Sequence, residues 1–190
     1  MSRSDRQTER SVIAFPSPEP LPGTYALILS SSLDQILSIG RLGQLHVRPG
    51  FYVYVGSAFG PGGVKARIAH HARLSRRPHW HIDYLRRVAQ LNEIWWTHDP
   101  IRREHQWAAL FGHMRGSSIP LSRFGSSDCT CASHLYFLPK RPVFSAFQRQ
   151  WQRHARKVST MVLKAPLRVL WRHSYVPKAT SFCHVLGKPR

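Results

Sequence analysis

Acidic residues are scarce in this chain. Nine Asp and Glu stand against 28 Lys and Arg in 190 residues, for a formal net charge of +19. None of the acids lies beyond Asp128, so residues 140–190 carry 12 Lys or Arg and no acid. A chain so basic favours a polyanionic partner, with binding that weakens as salt rises. Cysteine is scarcer still: three residues cannot build a disulfide framework, and Cys129 and Cys131 are too close for an easy mutual bridge. No apolar run approaches the length of a membrane span. Met1 to Ser11 holds Arg3, Asp5, Arg6, Glu9 and Arg10 in place of an apolar secretory stretch. These absences predict a soluble, cytoplasmic protein with no membrane partner. Nucleic acid, DNA first, is the expected partner, ahead of a merely solvated basic tail.

What is present is a set of short apolar segments separated by turn residues. Residues 1–20 are polar, then proline-rich, and read as a flexible arm. Tyr25 to Leu29 reads as a buried strand. Leu33 to Ile39 and Gln44 to Val47 flank the turn Gly40-Arg41-Leu42-Gly43 as a hairpin. Phe51 to Ser57, aromatic and β-branched, reads as another strand. Gly60-Pro61-Gly62-Gly63 breaks the chain before a helix from Val64 to about Leu74. The pattern then predicts a helix over Trp80 to Ala89, a strand over Glu93 to Thr97 with Trp95 and Trp96 in the core, and a helix over Pro100 to Gly112. Gly116 to Ser133 reads as loop and Leu135 to Leu138 as a final short strand. This order argues a small α+β domain over 21–140, with a mostly antiparallel central sheet flanked by helices. Residues 141–190 read as a basic extension. Phe144, Phe147, Trp151 and Val158 recur there at helical spacing, and no pattern is legible past about 158.

Hydrolysis of a phosphodiester needs an activated water, charge stabilisation at phosphorus and help for the leaving oxygen. The chain holds groups of that kind. Tyr25 and Tyr54 lie on strands, and tyrosines near a cation can position or deprotonate water. Arg67 offers a planar fork for a phosphate oxygen, and His71 follows four residues later on the same helical face. A carboxylate is wanted for Mg²⁺, which prefers oxygen ligands. Glu104 is best placed by context, with Asp83 and Glu93 as rivals.

Gly23-Thr24-Tyr25 and Tyr54-Val55-Gly56 resemble the paired signature of the GIY-YIG nuclease superfamily. Tyr54 to Ala58, Lys65-Ala66-Arg67 and His71 are similar to the equivalent part of phage intron-homing endonucleases. Over Gly23 to Leu138 the chain looks more like an archaeal and bacterial branch of that superfamily, some of whose members are fused to DNA-repair glycosylases. The shared segments are Arg41-Leu42-Gly43, Gly60 to Gly63, His79 to Tyr84 and Phe124 to Cys129. The resemblance implies a metal-dependent endonuclease of DNA, in repair or processing, that uses Mg²⁺ or Mn²⁺. It implies Tyr25 and Tyr54 at the centre, one or the other acting as general base or orienting the attacking water, Arg67 stabilising the transition state, His71 assisting proton transfer or binding phosphate, and Glu104 holding the metal. The Tyr25-to-Tyr54 interval is longer than in compact members, and Asp128 or Ser127 stands where many have an asparagine. Ser57, His79, His81 and Asp128 are secondary phosphate-binding candidates. The alternative is the same fold retained as a non-catalytic DNA- or RNA-binding module.

Taken singly, Tyr25 and Tyr54 are core strand residues and Glu104 is a helix-start acid favoured by the helix dipole. Their order as a set is what favours a site. Cys129-x-Cys131-x-x-His134 supplies three zinc donors. A fourth is not evident, Asp128, His113 and His81 being candidates, so ordinary packing is favoured over Zn²⁺. A zinc-stabilised interaction domain with a docking tail is a third reading. Trp151, Trp171 and Tyr175 could stack on bases, but burial is the more economical expectation.

Overall fold

A computed structural model describes residues 17–159 and 170–174. The chain forms β1 (Thr24–Ser31), β2 (Gln35–Ser38), β3 (Gln44–Val47), β4 (Gly50–Ser57), α1 (Gly63–Ala72), α2 (His81–Leu85), β5 (Gln90–Thr97), α3 (Glu104–Gly112), β6 (Leu135–Leu138), α4 (Phe144–Ser159) and β7 (Trp171–Ser174). Five strands make one sheet in the order β6-β4-β1-β5-β7, and every neighbouring pair is antiparallel. β2 and β3 form a separate hairpin. The architecture is mixed α+β, as the pattern of apolar segments predicts.

Alternation along β1 sorts the core into two layers, because successive side chains leave a strand on opposite faces. Tyr25, Leu27 and Leu29 join Tyr52, Ile94, Trp96 and Leu135 on one face, under Val64 of α1, Ile82 and Leu85 of α2, and Ile39 and Leu45 by the hairpin. Ala26 and Ile28 join Val53, Val55 and Trp95 on the other, under Trp107 and Phe111 of α3 and Phe147 and Trp151 of α4. Trp95 and Trp96 therefore sit in the core as expected, on opposite faces of β5.

Several boundaries differ from the sequence pattern, for identifiable reasons. The helix expected from Pro100 starts only at Glu104. The Ile101 N–H is taken by Asp99 Oδ1 at 2.9 Å and the Arg103 N–H by Thr24 Oγ1 at 3.0 Å, which holds this stretch in turns. α2 ends at Leu85 rather than Ala89, because Arg87 and Val88 N–H groups bond three residues back and the chain tightens into turns before β5. β5 begins at Gln90, earlier than Glu93, and α1 ends at Ala72 rather than Leu74. α4 follows the expected span, with Phe147 and Trp151 buried against α3 rather than offered to bases. β7 has no counterpart in the sequence reading; its Trp171 pairs with Trp96 and packs on the core. Tyr175 and residues 1–16 lie outside the described residues, as do the side chains of 155–159, Val158 among them. Glu19 and Leu21, at the end of the proline-rich arm, accept backbone hydrogen bonds from Lys65 and Val64 in the first turn of α1.

Candidate active site

The two tyrosines come from neighbouring strands. In the β1–β4 register Tyr25 lies opposite Gly56, and Leu27 opposite Tyr54. Both tyrosines point to the face that carries α1. The Tyr25 ring lies across Gly56: a Cβ there would come within 2.5 Å of Tyr25 Oη. Glycine is thus required at 56 by close approach. Gly125 plays the same part for Tyr54. A Cβ on it would sit 2.6 Å from Tyr54 Cε2, and its φ of +71° is itself a glycine conformation.

α1 supplies the next two groups. Its Arg67 and His71 are four residues apart and so share one face. The Tyr25 hydroxyl lies 2.8 Å from His71 Nε2. Burial, with the neighbouring His70 charge, pushes the His71 pKa down to about 3. His71 is therefore a neutral imidazole at ordinary pH. Its Nδ1 is buried with no hydrogen-bond partner among the described residues. Burial first, then the proximity of Tyr54, raises the Tyr25 pKa well above that of an ordinary phenol. Tyr54 is raised as well, by burial and then by Glu104. Neither phenol is ionised at rest. The Tyr54 hydroxyl makes no hydrogen bond to protein among the described residues.

The Arg67 guanidinium lies over the Trp80 ring, 4.5 Å from its centroid. Trp80 is placed by α2: the Asp83 carboxylate accepts the backbone N–H groups of Trp80 and His79, each at 3.0 Å, and meets His70 Nε2 at 3.1 Å. Burial works against the Asp83 charge, but those donors outweigh it and hold the pKa below the ordinary value. Among the described residues no carboxylate pairs with Arg67. A guanidinium lying over an aromatic ring, with no acid partner among the described residues, is a ready anion contact.

Glu104 opens α3 with 14% of its side chain exposed. Tyr25, Tyr54, Ser57, Arg67, Trp80, Glu104, Gly125 and Asp128 all line one cleft of about 140 Å³. A second hollow of about 310 Å³ shares Tyr54, Trp80, Gly125 and Asp128 and extends along His79, His81 and Ser127. The five principal candidates of the sequence thus meet, with His71 behind Tyr25, and the four secondary candidates line the cleft or its extension. The rival acids do not contend for the site. Asp83 is spent on capping α2. Glu93 lies on the far face of the sheet, bound by Trp95 Nε1 at 2.6 Å and by Arg141.

The donor chemistry of the cleft fits Mg²⁺ or Mn²⁺. Such ions take oxygen ligands and bind through one or two carboxylates, water and substrate phosphate. Glu104 faces a polar, open cleft that Asp128 also borders.

Sequence reasoning overlooked three contributors. Trp80, Gly56 and Gly125 shape the cleft, yet their signal is steric and needs the strand register to be seen. A fourth neighbour of the Cys129, Cys131 and His134 group is His105, not Asp128, His113 or His81. The ligand atoms of these four lie within 4.8 Å of one another. His81 Nδ1 instead accepts the Gly125 N–H at 3.1 Å, and His113 Nδ1 donates to the Ala109 carbonyl at 2.6 Å.

The model of a family described as domain of unknown function DUF123 matches residues 24–156. The chain belongs to that family. The DUF123 match runs from β1 through most of α4, so it includes four of the five sheet strands, all but β7, together with the cleft and most of the helix that covers the sheet's far face. Neither a curated protein nor a solved structure matches the chain. No helix among the described residues is long and apolar enough to cross a membrane.

Proposed function

We propose that this DUF123 protein is a metal-dependent endonuclease of the GIY-YIG kind, hydrolysing DNA phosphodiester bonds in repair or processing. The observation that carries the reading is the meeting of two phenols, an acid-free guanidinium and a carboxylate in one polar cleft. The net charge of +19 supplies the long-range attraction a polyanion requires.

Each group has a role consistent with its surroundings. Arg67 binds non-bridging phosphate oxygens, and these gain charge as a nucleophile adds at phosphorus. Tyr25 and His71 form a proton relay. The Tyr25 oxygen takes a proton from the attacking water while its own passes to His71 Nε2, 2.8 Å away. Burial keeps that nitrogen unprotonated at rest, and the negative charge of a phosphate bound in the cleft would raise its basicity for the transfer. Tyr54, whose hydroxyl has no hydrogen-bond partner among the described residues, orients the water or the phosphate. Glu104 would hold the divalent cation, in a cleft that Asp128 also lines. Mg²⁺ or Mn²⁺ bound there supplies a Lewis acid for the phosphate and the leaving oxygen. Ser57, His79 and His81 contact phosphates to either side.

The decisive experiment incubates the full chain with supercoiled, single-stranded, branched and abasic DNA, in Mg²⁺, Mn²⁺ or EDTA. Wild-type protein should cleave at least one substrate only with metal, and Tyr54→Phe, Arg67→Ala and Glu104→Ala should each be defective. Cleavage unchanged in Glu104→Ala would overturn the metal assignment. Binding of every substrate without cleavage of any would leave a nucleic-acid-binding module of the same fold.

A further inference from the structure

His105 comes from the first turn of α3, whereas Cys129, Cys131 and His134 come from the segment leading into β6. The chain between α3 and β6 is long and has no regular element of its own. A segment of that length in a compact domain is normally tied down or functional. Apolar anchoring here is limited: Phe124 is buried in the core and Leu121 partly so, while the residues from Ser127 to Ala132 are exposed or half-buried. Arg123 has a positive φ of 63°, a cost that only a well-determined surrounding sustains. Yet this segment places Gly125 and Asp128 on the cleft.

We propose that His105, Cys129, Cys131 and His134 form a closed tetrahedral Zn²⁺ site that staples this segment to α3. Two thiols and two imidazoles are a zinc donor set with no place left for water. Cys129 Sγ lies 3.5 Å from His134 Nε2. Zn–S of about 2.3 Å and Zn–N of about 2.0–2.1 Å give a sulfur-to-nitrogen edge of about 3.5 Å in a tetrahedron. The whole set lies within 4.8 Å, so closing it round an ion draws the remaining atoms in by roughly 1 Å. The His105 and His134 rings approach at 5.9 Å between centroids.

The second nitrogen of His134 gives independent support. His134 is 1% exposed, and its Nδ1 lies 3.1 Å from Glu104 Oε1 without forming an aligned hydrogen bond. A histidine that ligates zinc through Nε2 usually donates its Nδ1–H to a carboxylate, which fixes both rotamers. The zinc site would thereby hold one oxygen of Glu104 and leave the other for the cleft. His134 is in that sense a positioning residue. The site itself does not depend on the nuclease reading.

The test is metal content, not cleavage. The full chain is produced in zinc-replete medium, purified without chelator and analysed by mass spectrometry for metals. About one zinc per chain is expected. Cys131→Ser and His105→Ala should each fall to near zero, while His113→Ala should retain the metal. Wild-type protein stripped of metal and reloaded with Co²⁺ should show thiolate-to-cobalt charge transfer and intense tetrahedral d–d bands. Absence of both zinc and those bands in reduced, folded wild type would overturn the site, as would full zinc in both ligand variants. If the variants fail to fold, the wild-type cobalt spectrum still decides. Cleavage enters none of these readouts, so a binding-only protein with zinc would sink the nuclease reading and leave this site standing.

Discussion

The hydroxyl of Tyr25 on β1 and Nε2 of His71 on α1 are 2.8 Å apart and both buried, so strand and helix share one hydrogen-bonded pair at the base of the cleft. Removing either member should disable the relay. Tyr25→Phe and His71→Ala should each lower cleavage about 100- to 10,000-fold, the range for a positioned proton-transfer group. Binding of DNA should change far less, because neither is the principal phosphate contact. Single-turnover rates beside gel-shift titrations would show the separation. Equal losses in both would place the pair in binding instead.

His71 also makes stability depend on pH, with a definite sign. Its folded pKa is lowered to about 3 from 6.5, so between those values the unfolded chain binds a proton that the folded one does not. The stabilisation is fully present above the unfolded pKa and declines as pH falls through 6.5 towards the folded value. The slope approaches about 1.4 kcal/mol per pH unit for one such proton. Asp83 adds a loss in the acid range, since its lowered folded pKa stabilises only while it is ionised. Comparing urea midpoints of wild type and His71→Asn from about pH 7 to about pH 4 isolates the histidine. Parallel curves for the two proteins would show that His71 is not buried neutral.

Gly56 is the clearest steric demand in the cleft. Gly56→Ala puts a methyl group 2.5 Å from Tyr25 Oη, so the Tyr25 ring or the β1–β4 pairing must move. Overpacking of this kind costs about 1–3 kcal/mol. Displacing Tyr25 also stretches its contact with His71, so activity should fall by more than stability predicts. A Gly56→Ala protein melting like wild type with full activity would contradict the close approach.

The strands and their alternation are legible because apolar residues two apart must share a buried face. Tyr25 and Tyr54 could thus be assigned to strands, and Arg67 and His71 to one side of a helix. Glu104 was visible only through the order of the set. His105 was not visible at all, because its relation to Cys129 and Cys131 crosses a long irregular segment that no periodicity describes. Trp80 stood in plain sight between two histidines. Its role as the plate beneath Arg67 depends on where Asp83 caps α2, which is a matter of tertiary geometry. β7 escaped because four residues at a sheet edge, Trp171 to Ser174, carry too short a pattern to separate from the basic tail.

Arg67 and Trp80 should behave as a unit. Arg67→Ala removes the phosphate contact and should lower the cleavage rate about 100- to 1,000-fold, as loss of a transition-state donor does. Arg67→Lys keeps the charge but loses the planar fork and its stacking, so it should recover DNA binding without recovering rate. Trp80→Ala should leave the charge in place but free to swing, with an intermediate rate. A lysine variant as fast as wild type would reduce Arg67 to a point charge.

Phe147 joins the basic C-terminal helix to α3, whose first residue, Glu104, lines the cleft. Its ring stacks on Phe111 of α3 at 4.5 Å, nearly parallel at 7°, and lies 5.4 Å from Trp95 and 5.1 Å from Trp107. α4 is therefore a layer of the fold, although its charge marks it as an extension. Phe147→Ala should cost about 3–5 kcal/mol, the range for emptying a buried aromatic site. Arg149→Glu, on the same helix and facing away from that cluster, should cost little stability and weaken DNA binding in a salt-dependent way. Urea unfolding of both variants beside salt titrations of binding separates the two contributions. If Phe147→Ala unfolded at the wild-type midpoint, α4 would be an appendage after all. That result would move the boundary of the folded unit back to Leu138, where β6 ends.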